Sequence, residues 1–243
     1  MNWYEEWFNT KEYLEVYKNR GDVEAETLAE LILANVKIKT DAKILDMAAG
    51  AGRHAINFAR RGFNVTAVDL SQNLLKVAKK NASVYNFNID FVHSDIRKFE
   101  TSESFDLVLN LFTSIGYFDN DEENFELIRK AYNLLKPGGC FVLDYFNRNY
   151  LKTNLVPNSV ETIKGSVINQ NRFIRGDRVI KEIIIRKNGD TKKFFESVRM
   201  FSFSELQTEL ENTGFKIIST FGDLDGKPFI LENSPRVIII AGK

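Results

Sequence analysis

The sequence predicts an α/β protein built on a doubly wound, largely parallel β-sheet. Between residues 42 and 146, short apolar runs of strand length alternate with segments of helical period. The runs are almost continuously apolar, which is typical of strands buried on both faces of a parallel sheet. Such alternation implies right-handed crossovers and helices on both faces. The predicted strands are 42–47, 64–69, 89–95, 105–111 and 140–146.

Helix signals occupy the spaces between these strands. The ranges 53–61, 72–84 and 122–135 are predicted helices, with Ser71 as an N-cap and a Lys-Pro-Gly-Gly stop at 136–139. The first 35 residues also have a helical pattern, with an aromatic stripe at near-helical spacing. Such a stripe is typical of core packing, and covering a ligand is the alternative. The stripe consists of Trp3, Trp7, Phe8, Tyr13 and Tyr17.

The alternation ends after residue 147, where the pattern predicts a small antiparallel β insertion. Strand-like runs cover 166–174, 178–186 and 191–201, and Asn188-Gly189 is a strong hairpin signal. A helix is predicted from Ser202, which has capping-box spacing to Glu205, as far as Gly214. Two final strands, 215–221 and 236–241, complete the chain.

Composition excludes several function classes. The chain has 33 basic and 33 acidic residues, a balance that argues against nucleic-acid binding and against a polybasic membrane anchor. One cysteine, Cys140, and two histidines, His54 and His93, are too few for a disulfide or a Cys- or His-rich metal site. The N-terminus is unlike a signal peptide, and no apolar run is long enough to span a bilayer. We therefore expect a soluble cytoplasmic protein without a metal.

A run of small residues between the first strand and the next helix is the candidate ligand-binding turn. It covers residues 46–54, Asp-Met-Ala-Ala-Gly-Ala-Gly-Arg-His. Small side chains let the backbone bend tightly and approach a ligand closely. With Ala55 as its last residue, the turn also fits the dinucleotide fingerprint G-x-G-x-x-G/A, so an NAD site is the alternative.

Carboxylates stand at the ends of three successive predicted strands. Asp46 precedes the turn and suits a ligand with an ammonium group better than a pyrophosphate. Asp69 ends the second strand, where it can accept hydrogen bonds from the ribose of NAD or of adenosine. Asp95 follows the third strand, in a position to accept from an adenine amino group. The three together indicate a nucleoside ligand with an amino group.

These segments resemble the class I S-adenosylmethionine (SAM)-dependent methyltransferases. The resemblance covers residues 42–147 and, less specifically, the two final strands. It implies a seven-stranded Rossmann-like sheet whose last strand is antiparallel, with SAM bound over the carboxyl ends of strands one to four and S-adenosylhomocysteine as product. The matching segments are ILDMAAGAGRHA, VDLS, HSDI, FDLVLNL and LLKPGGCFVLDYF.

The resemblance also implies which residues hold the cofactor. Asp46 and the backbone around residues 48–52 would hold the methionine portion. Asp69 would bind the ribose, and Leu70 would lie beside the adenine. Ala48 replaces the family's first glycine, which is tolerated if this residue keeps a negative φ. The full predicted cofactor set is Tyr17, Asp46, Ala48, Ala49, Gly50, Gly52, Arg53, Asp69, Leu70, Ser71, Asp95, Ile96, Asn110, Leu111 and Phe112.

Three further positions are acceptor-site candidates. Tyr117 and Tyr145 are candidates for orienting or deprotonating the acceptor, with Tyr117 in a segment that resembles an acceptor-lining loop. Arg199 could bind an anionic substrate, with a surface salt bridge as the alternative. For His54, contact with the cofactor, helix capping and surface exposure all remain open. For Tyr17, the resemblance favours cofactor contact and the helical pattern favours packing.

The layout resembles enzymes that act on small molecules and have an N-terminal helical lid. The predicted division is a lid at 1–40, a SAM-binding core at 41–147 and 202–243, and an insertion at 148–201 that covers the active site. The expected function is transfer of a methyl group to N or O of a small molecule by a monomer or homodimer. A noncatalytic SAM-binding protein and an NAD-dependent oxidoreductase are the alternatives.

Overall fold

The computed structural model describes residues 2–17, 21–85, 87 and 89–243. Residues 1 and 18–20 of the predicted helical N-terminus lie outside this part. The helices are α1 (Trp3–Trp7), α2 (Lys11–Val16), α3 (Asp22–Asn35), α4 (Arg53–Arg60), α5 (Gln72–Ser83), α6 (Asp121–Leu134), α7 (Arg148–Asn154) and α8 (Phe203–Thr213). The strands are β1 (Lys43–Met47), β2 (Asn64–Asp69), β3 (Ile89–His93), β4 (Phe105–Asn110), β5 (Leu135–Phe146), β6 (Asn158–Ile163), β7 (Ser166–Arg175), β8 (Arg178–Lys187), β9 (Asp190–Arg199), β10 (Lys216–Phe221) and β11 (Arg236–Gly242).

The main sheet has the strand order β10-β11-β5-β4-β1-β2-β3. β11 pairs antiparallel with both β5 and β10, and the other pairs are parallel. The predicted seven-stranded sheet with an antiparallel last strand is confirmed. The chain leaves the neighbouring strands β1 and β4 toward opposite halves of the sheet. This switch point is where open α/β sheets form their ligand crevice.

Alternate residues of the central strands face two separate hydrophobic clusters. Ile44 of β1 packs in a cluster with Ile32 of α3 and Phe58 of α4. Leu45 faces the other cluster, which contains Ile128 of α6. α3 therefore belongs to the layer that covers one face of the sheet. This helix lies within the predicted lid at 1–40 and buries its apolar side against the core, and the predicted division into lid, core and insertion stays a prediction.

The β insertion forms its own four-stranded antiparallel sheet in the order β6-β7-β8-β9. The sequence pattern predicts three of these strands but neither β6 nor α7. Ile163 is the one buried residue of β6. A strand that buries so little has a weak apolar pattern in its sequence. Isoleucines of the insertion sheet pack with Trp7 and Val16 of the two N-terminal helices. The insertion therefore supports α1 and α2 from one side.

The predicted turn at 136–139 lies inside β5. Between the pairs Phe105↔Leu135 and Leu107↔Cys140, β5 advances by five residues while β4 advances by two. This irregularity accommodates the Pro-Gly-Gly sequence without ending the strand. The strand therefore begins at Leu135 instead of at the predicted residue 140.

The loop that follows β4 is held by Asn124 of α6. The Asn124 carboxamide oxygen accepts hydrogen bonds from the backbone N–H groups of Gly116 (2.8 Å) and Phe118 (3.2 Å). Its amide nitrogen donates to the carbonyl oxygens of Phe118 (3.0 Å) and Asn120 (2.9 Å). One fully buried side chain thus satisfies four backbone groups of a loop that lacks regular secondary structure.

Replacing Asn124 with alanine should lower the free energy of unfolding by about 3 kcal/mol. The change leaves buried backbone groups without partners, each of which costs about 1–3 kcal/mol. Urea unfolding of Asn124→Ala checks this value against Asn154→Ala, a change at an exposed helix end. Equal stability of the two variants would contradict the assigned role of Asn124.

Candidate active site

A cavity of about 320 Å³ lies at the carboxyl ends of β1, β2, β3 and β4, beneath α1 and α2. Its volume is within the range of about 300–1,000 Å³ that is typical of small-molecule sites. Most of the predicted cofactor set lines it. The lining residues from that set are Tyr17, Asp46, Ala48, Ala49, Gly50, Arg53, Asp69, Leu70, Asp95, Ile96, Leu111 and Phe112.

The turn after β1 is fastened to the end of β2. The Gly50 N–H donates to Asp69 Oδ2 at 2.7 Å, and the Ala49 N–H donates to the Val68 carbonyl at 3.0 Å. Gly50 has φ +58°. Ala48 has φ +62°, so the condition under which alanine would replace the family's glycine without strain is not met. The hydrogen-bonded turn imposes this left-handed conformation, which costs an alanine about 1 kcal/mol of stability.

Gly52 has a different role from the predicted one. It does not line the cavity, and a Cβ at this position would lie 2.8 Å from the Ala78 Cβ in α5. The residue is small because α5 packs closely against the start of α4. A Cβ on Gly50, by contrast, would have no atom within 4 Å. The two glycines of one motif therefore serve packing and ligand approach separately.

Alanine substitutions at these glycines should separate stability from ligand binding. Both variants adopt a strained φ, but Gly52→Ala should lose a further 1–3 kcal/mol or so through overpacking against Ala78. Gly50→Ala should fold and should bind SAM at least about tenfold more weakly, because its methyl group occupies the cavity wall. Urea unfolding and calorimetric titration measure the two effects. A lower free energy of unfolding for Gly50→Ala than for Gly52→Ala would contradict this assignment.

The carboxylate of Asp46 is buried without a full set of partners. The residue is 2% exposed, and its Oδ2 has no hydrogen-bond partner among the described residues. Burial, and then the negative charge of Asp69, raise the pKa of Asp46 to about 7. Burial also raises the pKa of Asp69, although the N–H groups of Ser71 and Gly50 donate to it. An unpartnered buried oxygen beside a second carboxylate favours a cationic group, so the site fits the ammonium of a methionine portion.

Asp95 is already engaged by a neighbouring arginine. Its oxygens accept hydrogen bonds from Arg97 Nε (3.1 Å) and Nη2 (2.6 Å). Burial acts to raise the pKa of Asp95, but these hydrogen bonds outweigh it and the pKa is lowered. Arg97 also lies 3.9 Å above the centre of the Phe118 ring. Arg97 thus keeps the Asp95 carboxylate ionised and oriented. The predicted contact of Asp95 with adenine stays a prediction.

The upper wall of the cavity is aromatic. Phe8 lies 5.0 Å from Tyr13 and 5.4 Å from Tyr117, and Tyr13 lies 4.9 Å from Tyr17, between ring centres. All four side chains line the cavity. Phe8, Tyr13 and Tyr17 of the N-terminal aromatic stripe thus line the site, whereas Trp7 belongs to a hydrophobic core, so each of the two interpretations holds for part of the stripe. For Tyr17 and Tyr117, the predicted contacts with ligands stay predictions.

The lid helices are tied to both the core and the insertion. Ser71 Oγ donates to the Phe8 carbonyl at 2.8 Å, and it also caps α5 by accepting from the Leu74 N–H. Ser71 does not line the cavity, and its predicted cofactor contact stays a prediction. On the other side, Trp7 Nε1 donates to Glu196 Oε1 at 2.8 Å, and the Tyr17 hydroxyl donates to the same oxygen.

Phe112 is held in place on the floor of the cavity by charged neighbours. Its ring lies between the guanidinium groups of Arg53 (5.1 Å) and Arg236 (4.9 Å). Its backbone has φ +65°, and its N–H donates to Asp144 Oδ2 at 2.9 Å. Arg236 and the fully buried Asp144 form an ion pair at 2.5 Å. The ion pair therefore fixes a strained residue against the site.

Besides Gly52 and Ser71, three further predicted site residues do not reach the cavity. Asn110 is buried at the end of β4 and does not line it. Tyr145 is 0% exposed, and its hydroxyl donates to the carbonyl of Arg199, so its predicted role in deprotonating the acceptor was wrong. Burial raises the pKa of this phenol. Arg199 forms ion pairs with Asp121, Asp177 and Glu205, and the salt-bridge alternative is correct.

Sequence reasoning missed several lining residues. Those on the lid lie in segments whose aromatic and apolar pattern is equally compatible with a core, so no local signal identifies them. Ser114 lies in the predicted acceptor loop but was not singled out. The residues concerned are Tyr4, Leu14, Asp22, Asn81, Ser94, Ser114 and Leu127.

Comparison with known sequences identifies the central region. Residues 44–139 match the family model described as a methyltransferase domain. A protein of Geobacillus sp. (strain WCH70) is 34% identical over 102 residues, so the match spans 42% of this chain and 41% of that protein. The glycine/sarcosine N-methyltransferase of Aphanothece halophytica is 27% identical over 229 residues, which cover 87% of this chain and 83% of that enzyme.

Solved structures share the fold over nearly the whole chain. A SAM-dependent methyltransferase from Clostridium acetobutylicum has a TM-score of 0.81 at 20% identity, covering 95% of this chain and 97% of that one. SAM-bound CalS10, an amino pentose methyltransferase from Micromonospora echinaspora, has a TM-score of 0.66 at 20% identity, covering 96% and 97%. Residues 44–139 therefore match a methyltransferase domain, as predicted, and the solved structures confirm the predicted fold.

The described part of the chain contains neither a metal site nor a membrane-spanning helix. No group of three or more His, Cys, Asp or Glu residues there is arranged to hold a metal ion. None of the described helices combines the length and apolarity needed to cross a membrane.

The free protein should show two opposing pH dependences of stability. Asp46 has a folded pKa of about 7 against 3.8 when unperturbed, so its contribution is lost as pH rises from about 4 to 7. His54 has a folded pKa of about 3 against 6.5, so its contribution is lost as pH falls below 6.5. Asp46→Asn should therefore gain stability relative to the unmodified chain between pH 5 and 8, on the order of 2 kcal/mol. Urea unfolding at several pH values measures this difference, and a difference that does not change with pH would contradict it.

Proposed function

We propose that this protein is a methyltransferase that transfers the methyl group of SAM to an amino nitrogen of a small molecule. The observation that carries the proposal is the cavity at the strand ends, in which an unpartnered oxygen of the Asp46 carboxylate lies below an aromatic wall. Bound SAM supplies an electrophilic methyl group on a sulfonium ion. The cytoplasmic location and the monomeric or homodimeric state stay predictions.

The residues of the turn and strand ends would hold the cofactor by charge and shape. Asp46 offers an unpartnered oxygen to an ammonium group, and Gly50 lets the backbone approach the ligand. Asp69 holds the turn through Gly50, and we propose that it also accepts from the ribose hydroxyls. Asp95, Ile96 and Leu70 line the same cavity and would enclose the adenine.

The acceptor side of the proposal depends on the aromatic wall. Phe8, Tyr13, Tyr17 and Tyr117 line the cavity, and aromatic side chains attract cations and exclude water from the reacting groups. Methyl transfer to an amine creates a positive charge on nitrogen, which such a wall stabilises. The similarity to a glycine/sarcosine N-methyltransferase supports nitrogen over oxygen as the acceptor atom.

These residues mainly align the acceptor with the methyl group and exclude water, and methyl transfer requires little other chemistry from the protein. A neutral amine attacks in line without prior loss of a proton, so a general base is not required for the chemical step. We propose that Tyr117, together with Ser114 of the same loop, orients the acceptor. An acceptor hydroxyl would instead need a base, and the buried Tyr145 does not provide one at the cavity.

A test of the function compares amines with matched alcohols. Formation of S-adenosylhomocysteine is measured by mass spectrometry with paired amino and hydroxy acids and paired amino and hydroxy sugars. We expect turnover with members of the amino series and none with the matched alcohols. Turnover of the alcohols alone would overturn the nitrogen assignment. Binding of SAM with no acceptor consumed in any series would support the alternative, a noncatalytic SAM-binding protein.

Tyr117→Phe should separate acceptor binding from cofactor binding. We expect kcat/KM for the acceptor to fall by about tenfold through loss of one hydrogen bond, while the Kd of SAM changes little. Steady-state kinetics and calorimetry measure the two quantities. A matched loss of SAM affinity would instead place Tyr117 at the cofactor.

A further inference from the structure

His54 is buried in the cavity wall without hydrogen-bond partners. The residue is 6% exposed, and neither Nδ1 nor Nε2 has a partner among the described residues. These facts exclude two of the three roles that the sequence leaves open, because a helix cap makes hydrogen bonds and a surface residue is exposed. The remaining role is contact with a ligand in the cavity.

A buried imidazole without partners is costly to the free protein. Buried polar groups are almost always paired, and an unpaired one costs on the order of 1–3 kcal/mol. Burial, and then the positive charges of Arg53 and Arg236, lower the pKa of His54 to about 3. The ring is therefore neutral near pH 7, with one N–H donor and one acceptor nitrogen. A ligand that offers both an acceptor and a donor would satisfy it.

The neighbouring groups indicate which part of the cofactor this is. His54 lines the cavity together with Asp46, Gly50 and Arg53, the residues around the turn after β1. Asp46 Oδ2 is also unpartnered, and Arg53 is cationic. A carboxylate, a cation and a neutral donor–acceptor pair together match an ammonium and a carboxylate on one carbon.

We propose that His54 hydrogen-bonds the α-amino-acid end of the methionine portion of SAM. The proposal rests on the proposed function only in taking SAM as the ligand. His54 is thus a cofactor-binding residue that is built into the fold at a cost to the stability of the free protein.

Nuclear magnetic resonance of the histidine rings provides the direct test. The chain has two histidines, His54 and His93, so the ¹⁵N spectrum of labelled imidazoles contains two residues. The probes are S-adenosylhomocysteine and 5′-methylthioadenosine, which has the adenosine and sulfur but lacks the amino-acid end. His93 contacts the carbonyl of Leu70, a cavity residue proposed to lie beside the adenine, and is the internal control.

The expected result is a difference between the two ligands at His54 alone. S-adenosylhomocysteine should shift a His54 ring nitrogen by several ppm, whereas 5′-methylthioadenosine should leave it near its free position. His93 should respond equally to both ligands. Identical His54 signals in the two complexes would overturn this proposal alone. Failure of both ligands to bind would overturn the proposed function as well.

Two variants provide a second, independent readout. His54→Leu should lower the affinity for S-adenosylhomocysteine by about ten- to hundredfold. It should change the affinity for 5′-methylthioadenosine by less than about threefold. The same variant without ligand should melt at an equal or higher temperature, because an unsatisfied polar ring is replaced by an apolar side chain. His54→Gln keeps a donor and an acceptor and should restore most of the affinity. A His54→Leu protein that melts lower and binds both ligands normally would show that the ring is structural.

Discussion

The site depends on one carboxylate, that of Asp69 at the end of β2. One oxygen accepts from the Gly50 N–H and the other from the Ser71 N–H, both at 2.7 Å. Ser71 in turn caps α5 and donates to the Phe8 carbonyl in the lid. The glycine turn, the second crossover helix and the lid are thus connected through a single buried side chain. Loss of this carboxylate would leave the turn free to relax away from the ligand.

The buried polar groups of the candidate site lower the stability of the free protein. The negative charge of Asp69 adds to burial in raising the pKa of Asp46, and Asp46 has an oxygen without a partner. His54 and Asn110 add buried polar atoms that are likewise unpaired among the described residues. Native interiors rarely leave such groups unsatisfied, so their concentration at one end of the sheet indicates preorganisation for a polar, cationic ligand. The free protein gives up stability for a site that needs little rearrangement.

The sequence predicts the features that depend on local pattern. The five parallel strands and the glycine turn were identified because apolar periodicity and small residues are local signals, and they lie where expected. The partners of Gly52, Tyr145 and Arg199 were not predicted because each lies far away in the sequence. Gly52 packs against Ala78 in the next helix, and Arg199 pairs with Asp121. Asn124 was missed for the same reason. Its role is to form hydrogen bonds with backbone groups that lie near it only in the folded loop.

The lid has two attachments of different kinds, and this suggests how the fold divides its tasks. On the core side, Ser71 holds the Phe8 backbone through the same group that organises the cofactor turn. On the insertion side, Glu196 accepts from Trp7 and from Tyr17, while Lys181 donates to the Tyr17 hydroxyl at 2.6 Å. A change in the insertion would therefore move the aromatic wall that faces the acceptor and leave Asp46, Asp69 and Gly50 in place. Because the described insertion residues do not themselves line the cavity, they would influence acceptor choice through the position of the lid.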